Sequence, residues 1–419
     1  MKKGYHYLRI SLVVLFIFTI IAGCTSRSNH ESSKHLVLAC WVADAEIKGL
    51  VDQYNTQYPD LPIEITEYYN PNVDVDSALT QMNADLLSGK IVDLYCFDSL
   101  NLQGLINNGY VADLQPFIEK DGDFLAGKYY ENILDQFQQD GSLYEMPSCF
   151  QLAGICVPSD LISNDISGWS VDEYIAFDNT LKSTQQTILS MDPQLLLEYM
   201  AQYSMDSFVD INQCQFECEE FYQLLEFIKK HARGNGGQSI GYGTWVFGVP
   251  SYVSDKNQLG TTPHYLGYPD TEKDGPCAMA LISYGISSTT NNPNECWDFI
   301  KLTLDDDIYC NINSKTGFPL SRSALDKALE LYSISTEDEQ SPLYGLTDDS
   351  GSYYVPLDSD DIATIRSTIE SVHHARFRYD GVFDIIREEG QAYLVGDKPV
   401  EEVARLIQNR VSIFLAEQK

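Results

Sequence analysis

Apolar and polar positions follow two alternating periods along the first part of the chain after residue 35. Three short apolar runs, "HLVLACWVAD", "LPIEITEYYN" and "IVDLYCFDS", are typical of buried strands. The segments between them, "AEIKGLVDQYNTQYP" and "DSALTQMNADLLSGK", carry apolar residues at helical spacing. Because strand and helix alternate with short connections, the pattern predicts an α/β fold with a largely parallel sheet.

The later pattern is mainly helical. Helices are predicted over "WSVDEYIAFDNTL", "CEEFYQLLEFIKKHA" and "NPNECWDFIKLTL", the last with Asn292 as its N-cap and Pro293 in its first turn. "CAMALISYGIS" is predicted as a strand, and the C-terminal third is helical up to "VEEVARLIQNRVSIFLAEQ". His373 and His374 lie on a predicted helix, where adjacent side chains point roughly 100° apart and cannot share one metal ion.

The N-terminal residues have the pattern of an export signal. Lys2, Lys3 and Arg9 precede an apolar run, Ile10–Ile21, that is too short to span a membrane comfortably. Residues 1–23 are therefore predicted to be a signal peptide. Its end, "IAGC", resembles the bacterial lipobox, which implies cleavage before Cys24 and acylation of its thiol. The polar residues 24–35 are predicted to form a flexible tether. An ordinary signal peptide with an incidental cysteine is the alternative.

The net charge disfavours two classes of partner, and the cysteine pattern indicates the state of the thiols. The formal net charge is −34, and a surface so acidic repels nucleic acid and anionic lipid headgroups. Apart from Cys24, nine cysteines stand mostly in apolar contexts, which favours buried thiols over a disulfide framework. Cys214 and Cys218 are four residues apart, but a disulfide within one helical turn is uncommon and no further metal ligands are nearby.

The sequence contains no familiar catalytic motif. No G-x-S-x-G elbow, H-E-x-x-H pair, P-loop or G-x-G-x-x-G fingerprint occurs in it. We therefore expect no catalytic residue, no metal and no cofactor. The acidic runs at 305–307 and 358–361 contain the residue types of a glycosidase carboxylate pair, so this type of enzyme stays an alternative. Solvated surface is the simpler interpretation of both runs.

Several stretches, in order along nearly all of the chain after the signal peptide, resemble one family. They are "LVDQYNTQYPDLPIEIT", "LLSGKIVDLYCFDSLNLQGLINNGYVADLQPFI", "GSLYEMPSCFQLAGICVPSDLI", "ISYGISSTTNNPNECWDFIKLTL" with "TGFPLSRSAL", and "GQAYLVGDKPVEEVARLIQNRV". The resemblance is to the extracellular solute-binding proteins of ABC importers, in the carbohydrate-binding branch that includes the maltose-binding protein. The chain departs from the pattern at Met191–Gln238, which is polar and unaligned, and at Val92, where a proline is usual.

The resemblance implies a two-lobed periplasmic-binding-protein-like α/β fold with a hinge and an interlobe ligand cleft. Lobe one would comprise residues 36–148 with 286–320, and lobe two residues 152–282 with 322–419. The hinge would consist of the three segments 148–153, 283–285 and 318–321.

Ligand contacts are expected where strands end and where aromatic rings flank the cleft, because sugars present apolar C–H faces and hydroxyl edges. The stretch "GYGTWVFG" resembles the part of the family that stacks a tryptophan under a sugar. The expected ligand-binding residues are Trp245, Trp41, Asp98, Asp44, Tyr69 and Tyr284. For each aromatic residue, ordinary core packing is the alternative.

The resemblance thus implies a non-enzymatic binding protein, anchored by lipid at the outer face of the bacterial cytoplasmic membrane. It would capture a sugar or oligosaccharide and deliver it to the permease subunits of an ABC importer, acting as a monomer. One alternative keeps the fold but changes the ligand to a peptide, a polyamine or another small molecule. Another is a lipid-anchored enzyme that acts on glycans.

Overall fold

Two five-stranded sheets organise the fold. The computed structural model describes residues 35–69, 72–87, 92–97, 102–163, 166–210, 213, 215–216, 219–231, 238–311, 317–348, 351–376 and 380–417. The predicted signal peptide, Cys24 and nearly all of the predicted tether lie outside these residues, as do Asp98, Cys214 and Cys218.

Strands and short helices dominate the first half of the described chain, and longer helices the second. The strands are β1 Leu36–Cys40, β2 Ile63–Glu67, β3 Leu94–Cys96, β4 Gln138–Gln139, β5 Ser142–Leu143, β6 Met146–Pro147, β7 Cys149–Pro158, β8 Gln186–Thr187, β9 Val209–Asp210, β10 Gln215–Phe216, β11 Gln238–Ser239, β12 Tyr242–Val246, β13 Pro263–Leu266, β14 Cys277–Ala280, β15 Ser283–Ile286 and β16 Phe318–Pro319. The helices are α1 Ala45–Gln57, α2 Val75–Leu87, α3 Leu102–Asn107, α4 Gln115–Ile118, α5 Gly122–Leu125, α6 Glu131–Asp135, α7 Val171–Leu181, α8 Pro193–Tyr203, α9 Glu219–His231, α10 Val249–Leu259, α11 Pro293–Thr303, α12 Asp306–Asn311, α13 Arg322–Tyr332, α14 Ser359–Glu370, α15 Asp380–Val395 and α16 Val400–Glu417.

The first sheet contains the strands predicted from the N-terminal pattern. Its order is β2-β1-β3-β15-β6, with β1 parallel to β2 and β3, and β15 antiparallel to β3 and β6. Helix α1 begins where the Asp44 carboxylate accepts the Ile47 N–H at 2.8 Å, an N-cap that satisfies one exposed donor. Its apolar face packs into the core, as the helical spacing predicts.

The second sheet is built around β7, which pairs antiparallel with β12, β13, β14 and β16. The chain passes between the two sheets directly, from β6 through Ser148 into β7 and from β14 through residues 281–282 into β15. "CAMALISYGIS", predicted as one strand, is therefore two strands on two sheets. The lobe limits given above stay a prediction, since the contacts of Leu36–Lys419 form one compact unit.

Two large hydrophobic cores lie on opposite faces of β7. Phe150, Leu152 and Cys156 join a core that also packs against the first sheet, α1 and α11. Ala153, Ile155 and Val157 join a second core made with α7, α8, α9, α15 and α16. The alternation follows from the two-residue period of a strand, which sends successive side chains to opposite faces.

His373 and His374 are not helical, so that prediction was wrong. Helix α14 ends at Glu370, and the chain continues extended beside β14. The Ala278 N–H donates to the His374 carbonyl at 3.0 Å, and the Arg376 N–H donates to the Ala278 carbonyl at 2.9 Å. Pairing with a strand edge has overridden the local helical pattern, as tertiary contacts commonly do.

The described residues show the state of the cysteines, the grouping of metal-ligand side chains and the length of the apolar helices. The cysteines whose side chains are described there are buried thiols that form no disulfide: Cys40, Cys96, Cys149, Cys156, Cys277 and Cys296. Within the same residues no group of three His, Cys, Asp or Glu side chains is arranged to hold a metal ion. No helix among them is long and apolar enough to cross a membrane.

A buried ion pair connects α10 to α14. The Lys256 ammonium binds the Asp361 carboxylate, and their side chains are 10% and 0% exposed. Tyr252 donates a hydrogen bond to Asp361 at 3.0 Å, and Asp358 lies 3.3 Å from the ammonium. Removing one partner of such a pair leaves an uncompensated charge in a poorly solvated position.

We therefore expect Asp361→Ala to lower the free energy of unfolding by about 3 kcal/mol. The matched control is Asp326→Ala, which breaks an exposed pair with Arg366 at 2.7 Å and should cost less than about 1 kcal/mol. Urea unfolding followed by circular dichroism measures both variants. Equal losses of unfolding free energy in the two variants would show that the burial of the α10–α14 ion pair does not raise the cost of breaking it.

Candidate functional site

Trp245 is the most exposed of the expected aromatic site residues. It lies on β12 opposite Ala153 of β7, and 42% of its surface is exposed. Its Nε1 donates a hydrogen bond to the Tyr203 hydroxyl at 2.6 Å. The Tyr199 ring lies nearly parallel to the indole, with 6.4 Å between ring centroids and 21° between planes. The indole is thus held in place while much of it faces solvent.

Tyr203 forms the support beneath this indole. It is the last residue of α8, it is buried, and its ring stacks on Tyr268 at 5.7 Å. Burial raises the pKa of Tyr203 to about 12, so the hydroxyl keeps its proton while it accepts the bond from Trp245. The buried Tyr268 hydroxyl points at Gly243 and has no hydrogen-bond partner among the described residues.

Gln151 is a buried polar residue on the same face of the sheet. It lies on β7 two positions from Ala153, the partner of Trp245, so the two side chains are diagonal neighbours within reach of each other. Gln151 is 3% exposed, and its amide oxygen finds no hydrogen-bond partner in the described part of the chain. A buried acceptor left unpaired costs about 1–3 kcal/mol. We call Trp245, Tyr199, Tyr203 and Gln151 the Trp245 site.

A cationic side chain borders this site. The Arg376 guanidinium faces the side-chain amide of Gln202 on α8, with Nε and Nη2 each 3.3 Å from the amide oxygen in the orientation that satisfies both groups. Its charge also acts on the neighbouring Tyr203 hydroxyl, where it opposes the effect of burial on the pKa. The site therefore combines aromatic surface, an amide and one positive charge.

The expected residues of the first sheet form a separate aromatic pair. Trp41 follows β1 and Tyr69 follows β2, and their rings stack at 5.3 Å with only 2° between planes. The Tyr69 N–H donates to the Trp41 carbonyl at 2.9 Å, which fixes the two strand ends together. Both side chains are half-buried. The structure thus brings Trp41 and Tyr69 together on one sheet and places Trp245 on the other.

The remaining expected residues have other surroundings. Asp44 is exposed, but its carboxylate already caps α1. Tyr284 is fully buried, and its ring packs edge-on against Phe299 at 5.4 Å. Burial raises the pKa of Tyr284 far above its ordinary value. Tyr284 is therefore packed in the core, which was the alternative given for every aromatic residue. This arrangement gives no support to a ligand contact at Tyr284.

Three members of the Trp245 site were missed from the sequence. Gln151 did leave a signal, since it is the one amide in the apolar run "CFQLAGICV". Tyr199 and Tyr203 left none, because they lie in the unaligned region and their spacing on α8 is that of an ordinary helix face. Whether Tyr199 and Tyr203 contact Trp245 depends on which strand α8 packs against. A helical pattern in the sequence does not specify that strand.

Comparisons with known proteins identify the fold. No protein-family model and no curated protein matches the chain. Among solved structures, an extracellular solute-binding protein family 1 member from Alicyclobacillus acidocaldarius is 12% identical, with a TM-score of 0.57, covering 91% of this chain and 98% of its own. The sugar-binding protein MalE from Xanthomonas citri is 13% identical, with a TM-score of 0.56 and the same coverage.

A third structure is similar to the same extent. The periplasmic oligogalacturonide-binding protein from Yersinia enterocolitica is 15% identical, with a TM-score of 0.60, covering 92% of this chain and 99% of its own. The α/β fold of this protein is therefore that of the extracellular and periplasmic solute-binding proteins. The expected fold class is confirmed, whereas the expected site residues stay predictions at these identities.

The packing behind Trp245 generates a prediction about Gly243. A Cβ atom at Gly243 would lie 2.5 Å from the Tyr268 hydroxyl and 3.5 Å from the Tyr199 ring. We expect Gly243→Ala to lower the free energy of unfolding by about 1–3 kcal/mol, the usual cost of overpacking. Urea unfolding measures the change.

Gly49→Ala is the matched control. Gly49 lies within α1 with nothing within 4 Å of the added methyl group, so alanine there should stabilise the protein by about 0.5–1 kcal/mol. If Gly243→Ala were as stable as the wild type, the close packing of Tyr268 and Tyr199 against β12 would be contradicted.

Proposed function

We propose that this protein is a solute-binding protein of the ABC-importer type, which captures a sugar or oligosaccharide without turning it over. The observation that carries the proposal is the half-exposed Trp245 indole, which is held by Tyr203 and lies diagonal to Gln151 across the sheet. The buried amide oxygen of Gln151 has no hydrogen-bond partner among the described residues. The fold shared with extracellular solute-binding proteins supports it. Catalysis is not part of the proposal.

The chemistry of the Trp245 site suits a sugar ring. The exposed indole offers a flat apolar surface for the C–H face of a pyranose. Next to that surface, the Gln151 amide can accept from or donate to a ring hydroxyl, which would satisfy the unpaired oxygen. Arg376 adds a site for an acidic or hydroxyl-rich edge, and the oligogalacturonide-binding protein of the same fold makes acidic sugars a sensible part of any ligand panel.

The first sheet supplies the opposing contacts in this proposal. Trp41, Tyr69, Asp44 and Asp98 follow the carboxyl ends of parallel strands, where ligands of open α/β sheets bind. A ligand that touches both sheets binds well only to a closed arrangement. Closure about the passages between the sheets would then be a population shift driven by the ligand.

The proposal also covers where the protein works. Cleavage before Cys24 and acylation of its thiol would anchor the mature chain at the outer face of a bacterial cytoplasmic membrane, with residues 24–35 as the tether. Confinement there raises the effective concentration of the binding protein at the permease. We propose that the partner is the permease of an ABC importer and that the binding protein acts as a monomer.

Substitution of Trp245 tests the binding site. We expect Trp245→Ala to weaken binding of the best sugar from a panel of neutral and acidic oligosaccharides by at least about tenfold, because the stacking surface is lost. Isothermal titration calorimetry measures the affinity. Tyr353→Ala removes another exposed aromatic ring, on the segment between α13 and α14, and should leave the affinity unchanged.

Product analysis in the same experiment separates binding from catalysis. Binding of a sugar without release of products supports the proposal. Steady release of products would instead support the alternative, an enzyme that acts on glycans. Binding only of peptides or polyamines would favour the alternative ligand classes. Equal affinity of the wild type and Trp245→Ala for the bound sugar would remove Trp245 from the site.

Gln151 provides a second test, in which stability and affinity change in opposite directions. We expect Gln151→Leu to raise the free energy of unfolding by about 1–3 kcal/mol, since the unpaired buried oxygen is removed. The same variant should bind the sugar at least about tenfold more weakly, which calorimetry measures.

Gln138→Leu, on the β4–β5 hairpin, is the control and should not change the affinity. A Gln151→Leu protein that gained stability and kept its affinity would show that the amide is only a packing defect. In that case Gln151 would not belong to the binding site.

A further inference from the structure

The face of the second sheet that carries Trp245 continues across β7 onto β14. Trp245 on β12 is paired with Ala153 of β7. Met279 on β14 is paired with Gln151, which precedes Ala153 by two residues on β7. Directly opposite residues of antiparallel strands point to the same face of the sheet, and so do residues two apart on one strand. The half-buried Met279 therefore lies beside Gln151 on the Trp245 face.

Arg376 occupies the next position on the same face. It belongs to the extended segment that pairs with the other edge of β14, where Ala278 and Ala375 form a parallel bridge. Both alanines pack into the core on the opposite face of the sheet. Because successive side chains of an extended segment alternate between faces, Arg376 points to the Trp245 face. Its N–H donates to the Ala278 carbonyl at 2.9 Å, which holds this register.

The Arg376 side chain and the Trp245 indole are both neighbours of Tyr203. Nε and Nη2 of Arg376 each lie 3.3 Å from the side-chain amide oxygen of Gln202, in the orientation that satisfies both groups, and Gln202 precedes Tyr203 on α8. Burial raises the pKa of Tyr203 to about 12, and the positive charge of Arg376 acts on that hydroxyl in the opposite direction. The same hydroxyl accepts the indole N–H at 2.6 Å. A cation and an aromatic surface thus meet at one residue.

The guanidinium of Arg376 has the chemistry of a carboxylate site. It carries five N–H donors in a planar fork, which is more than one amide oxygen can accept. Paired N–H bonds from a guanidinium to a carboxylate are shorter and about twice as strong as bonds between neutral groups. The side chain is half-buried, so solvent screens its charge less than that of a fully exposed arginine. A carboxylate on the ligand therefore gains more at this position than a hydroxyl group does.

The net charge of the protein makes such a position selective. With a formal net charge of −34, the surface as a whole repels anions. An acidic ligand is therefore held only by a direct contact with a cation, which salt screens less than the long-range repulsion. The carboxylates of the preceding loop are engaged elsewhere. Asp270 accepts the Glu272 N–H at 2.8 Å, and Asp274 lies 3.7 Å from Nδ1 of His374.

We propose that the ligand is an acidic sugar, a uronate-containing saccharide whose ring stacks on Trp245 while its carboxylate binds the Arg376 guanidinium. In strand order Gln151 and Met279 lie between these two contacts. The amide serves the ring hydroxyls and the thioether covers an apolar edge of the sugar. This inference rests on the proposed function, since it names the class of sugar that the Trp245 site selects.

The first test changes only the ligand. Uronate saccharides of one to three units are compared with their methyl esters, which keep the sugar rings and lose the negative charge. Isothermal titration calorimetry on the unmodified protein at pH 7 measures both affinities. We expect the acids to bind at least about tenfold more tightly than the esters, because a hydrogen bond to a charged group is worth more than one to a neutral group. Equal affinities, or tighter binding of the esters, overturn the inference.

The second test changes Arg376. Arg376→Gln should weaken binding of the acid at least about tenfold and leave the affinity for the ester unchanged, so that the preference for the acid disappears. Arg376→Lys keeps the charge but loses the planar fork, and should show a smaller loss. The matched control is Arg387→Gln on α15, which breaks an exposed pair with Asp384 at 2.9 Å and should change neither affinity.

The outcomes separate this inference from the proposed function. An Arg376→Gln protein that still prefers the acid removes Arg376 from the site and overturns the inference. If that variant does not fold, Arg376→Lys decides in its place, because an unchanged preference in it has the same meaning. Tight binding of neutral sugars with no preference for acids overturns the inference alone, whereas absence of binding to every sugar contradicts the proposed function.

Discussion

The structure depends on one strand, β7. Nine of its ten residues are buried, and it pairs with four other strands while continuing directly from β6 of the first sheet. Its two faces belong to two different cores, each closed by its own set of helices. A shift of one residue in its register would exchange the faces, burying Gln151 in the core that now holds Phe150. The register of β7 therefore determines which side chains enter each core and where the chain passes from one sheet to the other.

The candidate site is a consequence of the same register. Trp245 lies on the sheet face of the second core because it is paired with Ala153, and Gln151 lies diagonal to it for the same reason. An unpaired amide at such a position conflicts with the packing rules that the rest of β7 obeys, and conflicts of this kind tend to occur where a protein binds something.

What the sequence could predict followed from local patterns. β1 and α1 were predicted correctly because their apolar periods are clear, and α11 begins at Pro293, as predicted. The Asp44 carboxylate, expected to bind ligand, caps α1. The sequence could not orient Tyr284, since a strand buried on both faces carries no alternation that separates core from cleft. It also assigned His373 and His374 to a helix, because the edge of β14 that captures them is distant in the sequence.

Rigidity of the aromatic groups bears on how a ligand would be held. Trp245 has its N–H satisfied and a tyrosine against its ring, and Trp41 and Tyr69 are stacked on each other. The entropy of ordering these rings is therefore lost when the protein folds, not when a ligand binds. For a protein that closes on its solute as proposed, the remaining freedom would lie in the passages that leave β6 and β14. Affinity would then be governed by how much of the population is closed. The contact of Tyr203 with Trp245 would act differently, by keeping the indole ordered before any ligand binds.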